Sequence, residues 1–309
     1  MTRLIAEWRE QVSGTLKPSS LRAANSHLRR IEPLLGELAL SALTVKRVQS
    51  FATSLSTASR TRKTIENILM TLSSILTSGR KWGYAIPQFS ISDLSLPQGT
   101  SKEGRFFEFS QVREILRAAD EPFATICFLL SVTGMRIGEA LALRVEDLDF
   151  QRKLVKVRGS VFAGQIGTPK SKASIADLPM PAALETRLMT YLASKHFRSN
   201  PLGLLFINRR GRAYSANKLR EKKLRPLLAE LGIPLAGFHA FRHAVATELI
   251  DSGAPITVVQ AQMRHSDARI TLGLYGHVVP QSQRDAVNNL ATRLGSQLLT
   301  EPQIADSAA

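Results

Sequence analysis

Apolar residues recur at helical spacing through the first third of the chain. Leu21, Leu28, Ile31 and Leu35 follow Pro18-Ser19-Ser20, a helix start signal, so the pattern predicts a helix with one side on a core. A second predicted helix covers Val45 to Leu55. A third runs from Ser59 to Gly79, with Ile65, Ile68, Leu69, Leu72 and Ile75 on its apolar side. The pattern breaks between Leu94 and Gly104, where Pro97, Gly99 and Gly104 lie among small polar residues, as in an exposed linker.

Helical signals resume at Ser110, a plausible N-cap for a helix carrying Val112, Ile115, Leu116 and Ala119. A buried helix is predicted from Pro122 to Val132, then a short amphipathic helix after Thr133-Gly134-Met135-Arg136. From Leu148 to Leu178 the period changes to alternation. Leu154 to Arg158 reads as a strand, Gly167 to Ser174 as a turn, and Ile175 to Leu178 as the returning strand. From Pro181 onward the pattern is helical again, apart from the apolar Leu204–Ile207 and the turn Asn208–Arg212. A long helix is predicted from Ser215 to Leu231. The expected fold is therefore mainly α with a small β-sheet. Residues 1–95 form an all-helical domain, 96–105 a linker, 106–285 a mixed α+β domain and 286–309 a tail.

Charge narrows the class of partner. Among 309 residues, 41 Lys and Arg oppose 25 Asp and Glu, a net charge of +16 that favours a polyanion, with nucleic acid as the default. Residues 1–95 hold 13 bases and 6 acids, with Arg60, Arg62 and Lys63 clustered at the start of the third helix. Residues 201–230 hold 8 bases and 2 acids. Lys218, Arg220, Lys222, Lys223 and Arg225 lie on the predicted 215–231 helix, so both groups are candidate DNA contacts. The single cysteine, Cys127, sits in an apolar run and reads as a buried, inert thiol. Without a second cysteine there is no internal disulfide, and no apolar run reaches membrane-spanning length. No signal peptide is read in Met1 to Gln11, and the expected location is cytoplasmic.

Four segments carry candidate chemistry: Thr133-Gly134-Met135-Arg136-Ile137-Gly138-Glu139-Ala140-Leu141, Pro169-Lys170-Ser171-Lys172, His239-Ala240-Phe241-Arg242-His243, and His265 to His277 around Tyr275. Each alone has a bland reading: a surface ion pair, a solvated turn lysine, a satisfied polar pair, a core tyrosine. Together, and in this order, they resemble the tyrosine recombinase, or phage integrase, family. Its pattern is an Arg in a T-G-x-R-x-x-E-x-L helix start, a Lys in a β-turn, H-x-x-R, then a His and a Tyr about ten residues apart. The resemblance is strong over residues 106–280. It extends more weakly over 1–95, which is similar to the family's helical core-binding domain.

The resemblance implies a site-specific DNA recombinase that links Tyr275 to a DNA 3′-phosphate and frees a 5′-hydroxyl. The catalytic set implied is Arg136, Lys170, His239, Arg242, His265 and Tyr275, with Lys172 as the alternative to Lys170. The residue types suit that chemistry. A phosphorane-like transition state gains charge on its nonbridging oxygens, which Arg136 and Arg242 can meet with planar, bidentate donors. The leaving 5′-oxygen needs a proton, for which the turn lysine is the candidate general acid. A tyrosine hydroxyl is a weak nucleophile at neutral pH; His239 can accept its proton and nearby cations can stabilise the phenolate. His265 can donate a further hydrogen bond to the phosphate. No cofactor and no metal are expected: the six His are scattered, with no H-E-x-x-H and no Cys pair. Double-stranded DNA is the expected partner, with a homotetramer as the assembly on paired sites. Val287, Leu290, Leu294, Leu298 and Leu299 have a helical period and would dock either on a neighbouring protomer or on their own domain.

Some neighbours stay open. Glu139 either orients Arg136 or serves as a cap or structural ion pair, while His243 and His277 read as structural. Arg264 stands where the family usually has Gly before the second His, which bears on the turn leading to His265. A type IB topoisomerase and a non-catalytic basic regulator are the rival readings, to be separated by recombination, relaxation and covalent-adduct assays. The target site is not legible, because phosphate contacts carry little sequence information.

Overall fold

The apolar stripes of the first 98 residues become four helices around one core: α1 (Thr2–Val12), α2 (Pro18–Leu35), α3 (Val45–Thr57) and α4 (Arg62–Lys81). The structure, a computed structural model, describes residues 1–98, 106–168, 175–264, 288, 291 and 292, and divides into two units, 1–103 and 104–309. Leu28 and Ile31 of α2, Val48 of α3 and Ile65, Ile68, Leu69, Leu72 and Ile75 of α4 are fully buried. Each such side chain contributes about 1.5–3 kcal/mol of burial.

Three sequence expectations shift in this unit. Leu21 is only half-buried, and Ala24 is the first α2 residue on the core. The third helix begins at Arg62 rather than Ser59, because Ser59 takes a left-handed conformation (φ 57°) and Thr61 is the N-cap. The Thr61 hydroxyl accepts from the Thr64 amide, satisfying a donor the helix leaves open. Helix α1 was not read from the sequence, although Leu4, Ile5 and Trp8 give it a buried side.

The second unit starts with α5 (Phe109–Ala118), α6 (Phe123–Thr133) and α7 (Ile137–Ala140). Glu108, not Ser110, is the N-cap of α5, and the Gln111 side chain accepts from the Glu108 amide at 3.1 Å. Helix α6 is buried on nearly every side, Cys127 included, and burial raises the pKa of that thiol. Five short strands follow: β1 (Leu148–Asp149), β2 (Leu154–Val157), β3 (Ser160–Phe162), β4 (Gln165–Gly167) and β5 (Ala176–Pro179). Strands β1, β2 and β5 form an antiparallel sheet with Val155 opposite both Leu148 and Leu178. Strands β3 and β4 form a separate hairpin. Its turn residues, Ala163 and Gly164, both have positive φ (53° and 86°), the backbone that suits a two-residue hairpin loop.

Helix α8 (Ala182–Ala193) precedes the buried run Leu204–Ile207, which forms only isolated bridges, Arg144 to Leu204 and Ile207 to Ala213. The predicted 215–231 helix is present in three parts: α9 (Ala216–Leu219), a π-helical turn (Arg220–Leu224) and α10 (Arg225–Glu230). Pro226 accounts for the break, since it has no amide to donate to the preceding turn and its ring crowds that turn's carbonyl. Helices α11 (His239–Asp251) and α12 (Ile256–Met263) close the described fold. Phe107 packs edge-on against Phe241 at 4.8 Å, and Phe123 against Phe238 at 6.2 Å, which fixes the start of α11.

Candidate active site

The corner between α6 and α7 is built by residues 133–139. Gly134 ends α6 in the left-handed conformation (φ 64°), and a Cβ there would come within 2.5 Å of the Met263 methyl. Thr133 is buried; its hydroxyl donates to the Leu129 carbonyl at 2.7 Å and accepts from the Met135 amide at 3.3 Å. The chain then turns so that Arg136 is the N-cap of α7 and Glu139 its third residue. Gly138 lets α7 approach β3: a Cβ there would meet the Val161 carbonyl oxygen at 2.8 Å.

Glu139 performs both roles left open by the sequence. Its carboxylate accepts the Arg136 amide at 2.9 Å, capping α7, and the Arg136 guanidinium at 3.0 Å. Arg136 keeps part of its side chain in solvent (32% exposed), whereas Glu139 is only 2% exposed.

Helix α11 brings His239 and Arg242, one turn apart, to the same corner. The Arg242 guanidinium is buried and donates to the Gly134 carbonyl at 2.6 Å and to the Met263 carbonyl. Its pKa is pulled down to about 9 by burial, and by the Arg136 and Arg264 charges, partly offset by Glu139. It remains a cation at neutral pH. His239 is open to solvent. Partial burial of its ring, then His243, Arg242 and Arg136, push its pKa down to about 4. Its imidazole is therefore neutral at pH 7 and able to accept a proton. His243, read as structural, stacks edge-on against His239 at 4.8 Å between ring centres, and burial lowers its pKa as well.

Two residues at the end of α12 were not singled out as site residues in the sequence. Gln262 at the end of α12 donates to the Thr133 carbonyl at 2.9 Å. Arg264 is left-handed (φ 51°), the backbone a glycine adopts readily, and its buried guanidinium donates to Glu139 at 2.8 Å. The only sequence signal for this was its departure from the family's Gly. Two guanidiniums, those of Arg136 and Arg264, thus bond the Glu139 carboxylate, and the Arg242 charge lies close enough to interact with all three, so positive charge is in excess at this corner. No group of three or more His, Cys, Asp or Glu among the described residues is placed to hold a metal ion.

The structure therefore brings Arg136, His239 and Arg242 together. Lys170, Lys172, His265, Tyr275 and His277, together with the apolar tail residues Val287, Leu290, Leu294, Leu298 and Leu299, lie outside the described residues. The candidate DNA contacts fall on two surfaces, each on its own unit. Arg60, Arg62 and Lys63 are exposed at the start of α4, with Arg62 and Lys63 paired to Glu66 at 2.9 and 3.8 Å. On the second unit Arg220 and Arg225 share Glu221 at 2.9 and 2.7 Å, and Lys223 faces Asp120 at 3.6 Å. Lys218 and Lys222 are exposed, with no ion pair among the described residues.

A helical scaffold thus gathers two arginines, Arg136 and Arg242, and a neutral histidine, His239, at one corner. Residues 105–282 match the phage integrase family, more than half of the chain, and the chain belongs to that family. It is 29% identical over 208 residues to a XerC-like tyrosine recombinase of Caldanaerobacter subterraneus subsp. tengcongensis; the match covers 60% of this chain and 53%, about half, of that relative. It is 26% identical to the tyrosine recombinase XerC of Alcanivorax borkumensis, over 85% of this chain and 84% of the relative. The fold is similar to that of the Tn1549 transposon integrase solved with transposon right-end DNA. There the TM-score is 0.80 at 21% identity, covering 94% of this chain and all of that one.

Proposed function

We propose that the protein is a site-specific DNA recombinase that cleaves and rejoins strands through a 3′-phosphotyrosine link. The observation that carries this reading is the convergence of Arg136 and Arg242 on one corner, beside a neutral His239. Double-stranded DNA is the substrate. The two guanidiniums receive the scissile phosphate and stabilise its transition state, His239 takes the proton of the Tyr275 hydroxyl, and Tyr275 attacks phosphorus. Lys170, or Lys172 in its place, protonates the departing 5′-oxygen, and His265 donates to the phosphate. The phosphodiester energy is kept in the tyrosine link, so rejoining requires neither ATP nor metal.

In this reading residues 1–95 are the core DNA-binding domain, 96–105 the linker and 106–285 the catalytic domain. Arg60, Arg62, Lys63, Lys218, Arg220, Lys222, Lys223 and Arg225 contact DNA phosphates, and four protomers assemble on paired sites, with the 286–309 tail docking between them. The family match and the named relatives support this reading, as does the positive charge of both segments.

The test is a nicked suicide duplex drawn from the DNA flanking the encoding gene. The wild-type chain is expected to form a covalent adduct and Tyr275→Phe none. An undiminished adduct with Tyr275→Phe overturns the assignment. Supercoil relaxation on DNA lacking a paired site, with no strand exchange on paired sites, points instead to topoisomerase action.

A further inference from the structure

Arg264 is held at unusual expense. A left-handed backbone disfavours any residue with a Cβ, and a guanidinium is rarely as buried as this one, whose side chain is 3% exposed. A turn alone would be better served by Gly. What the arginine adds is its bond to Glu139, at 2.8 Å, on the same carboxylate that grips Arg136. The Glu139 oxygen that receives Arg264 also accepts the Arg136 amide, while the other oxygen receives the Arg136 guanidinium. Glu139 is thus held by a neighbour three residues before it, Arg136, and by Arg264, 125 residues after it. Without Arg264 the carboxylate would be hydrogen-bonded by Arg136 alone and would offset more of the charge that Arg136 offers a phosphate.

We infer that Arg264 is a positioning residue for Arg136: acting through Glu139, it fixes the guanidinium and restores the positive excess of the phosphate site. Arg264 itself is too buried to be the phosphate's ligand. The inference rests on the recombinase reading for its effect on cleavage, but not for its effect on anion binding.

Arg264→Gly removes the guanidinium and suits the left-handed backbone, so the chain should stay folded. Cleavage of a suicide duplex at saturating protein should slow at least tenfold, while the Kd for DNA changes by less than threefold. In a Glu139→Gln background, removing Arg264 should change the rate by less than twofold, because its route to Arg136 is already cut. A purely structural role predicts instead additive losses in the double variant and an unchanged phosphate response. Inorganic phosphate provides a readout independent of recombination: the full-length wild-type chain should gain thermal stability with phosphate, and Arg264→Gly should gain at most half as much. Wild-type cleavage by Arg264→Gly, additivity in the double variant, or an equal phosphate response would each overturn the inference. Should Arg264→Gly not fold, Glu139→Gln alone decides through the same phosphate response: a response equal to wild type overturns it. A wild-type chain that responds to phosphate yet forms no adduct refutes the recombinase reading and leaves this one standing.

Discussion

The guanidinium of Arg242 donates to the main-chain carbonyl of Gly134 at 2.6 Å, across 108 residues of sequence. The same group also serves the Met263 carbonyl, so one side chain ties α11 to the ends of α6 and α12. Arg242 therefore both assembles the corner and supplies its charge. The substitution Arg242→Lys keeps the charge but offers a point donor where a fork is needed. One buried carbonyl then loses its partner, at a cost of about 1–3 kcal/mol. Urea unfolding should show that loss. Covalent-adduct formation should fall by about 100-fold or more, the scale seen when one preorganised donor is removed. A variant with wild-type stability would show that the two carbonyls are not held as described.

Gly134 gives the second prediction. Its φ of 64° disfavours a side chain, and a Cβ would press within 2.5 Å of the Met263 methyl and 3.4 Å of a Val245 methyl. The methionine end is flexible and can yield, but the backbone strain stays. Gly134→Ala should cost about 1–3 kcal/mol in denaturant unfolding. It should also weaken adduct formation, because Arg136 lies two residues on and depends on this corner. Unchanged stability would mean that the corner relaxes to another conformation.

The histidines give a pH prediction with a definite sign. The folded pKa of His239 lies at about 4, and that of His243 is also lowered. An unfolded imidazole titrates at about 6.5. Between these values the unfolded chain binds more protons, so stability is full above about pH 6.5 and falls as pH drops toward 4. Urea midpoints measured across this window should fall less steeply for His239→Gln than for wild type. Cleavage should also be independent of His239 titration between about pH 6 and 8, since the imidazole is already neutral there. A rate that rises through pH 6.5 with the midpoint of an ordinary histidine would contradict this placement.

What the sequence made legible depended on the range of the interaction that decides each feature. The helices of residues 18–81 follow from local periodicity; their C-terminal ends run up to two residues past the expected ones, and the start of α4 moved to where the left-handed Ser59 and the N-cap Thr61 set the boundary. The β3–β4 hairpin carries an Ala163-Gly164 turn, a weaker signal than Asn-Gly, so alternation alone did not separate it from the sheet. Arg136, His239 and Arg242 could be read as a set because each lies in a short motif. The second partner of Glu139 could not: Arg264 reaches it across the fold, and nothing in local spacing reports which charge a buried carboxylate will find. Arg264 was visible only as a departure from the expected Gly, and the structure shows that the turn keeps the glycine-like backbone while the side chain takes up the ion pair.

The basic surface of α9, the π-turn and α10 can be divided by how its charges are used. Arg225 and Arg220 converge on Glu221, and Lys223 faces Asp120 at 3.6 Å. A phosphate must compete with those carboxylates. Lys218 and Lys222 are exposed and have no such competitor among the described residues, so their charge is available. Each phosphate contact made by a lysine releases condensed counterions and adds about 0.9 to the slope of log affinity against log salt. Lys218→Ala and Lys222→Ala should therefore each flatten that slope by about 0.9 and weaken binding evenly across DNA sequences. Arg225→Ala should flatten it less, because removing it also frees Glu221 to repel the backbone without a full contact having been lost. The measurement is DNA affinity by fluorescence anisotropy from about 50 to 200 mM salt, the range over which such slopes are resolved. Equal slopes for wild type and Lys218→Ala would remove this face from the DNA contact, and the exposed Arg60 beside α4 would be the next residue to vary.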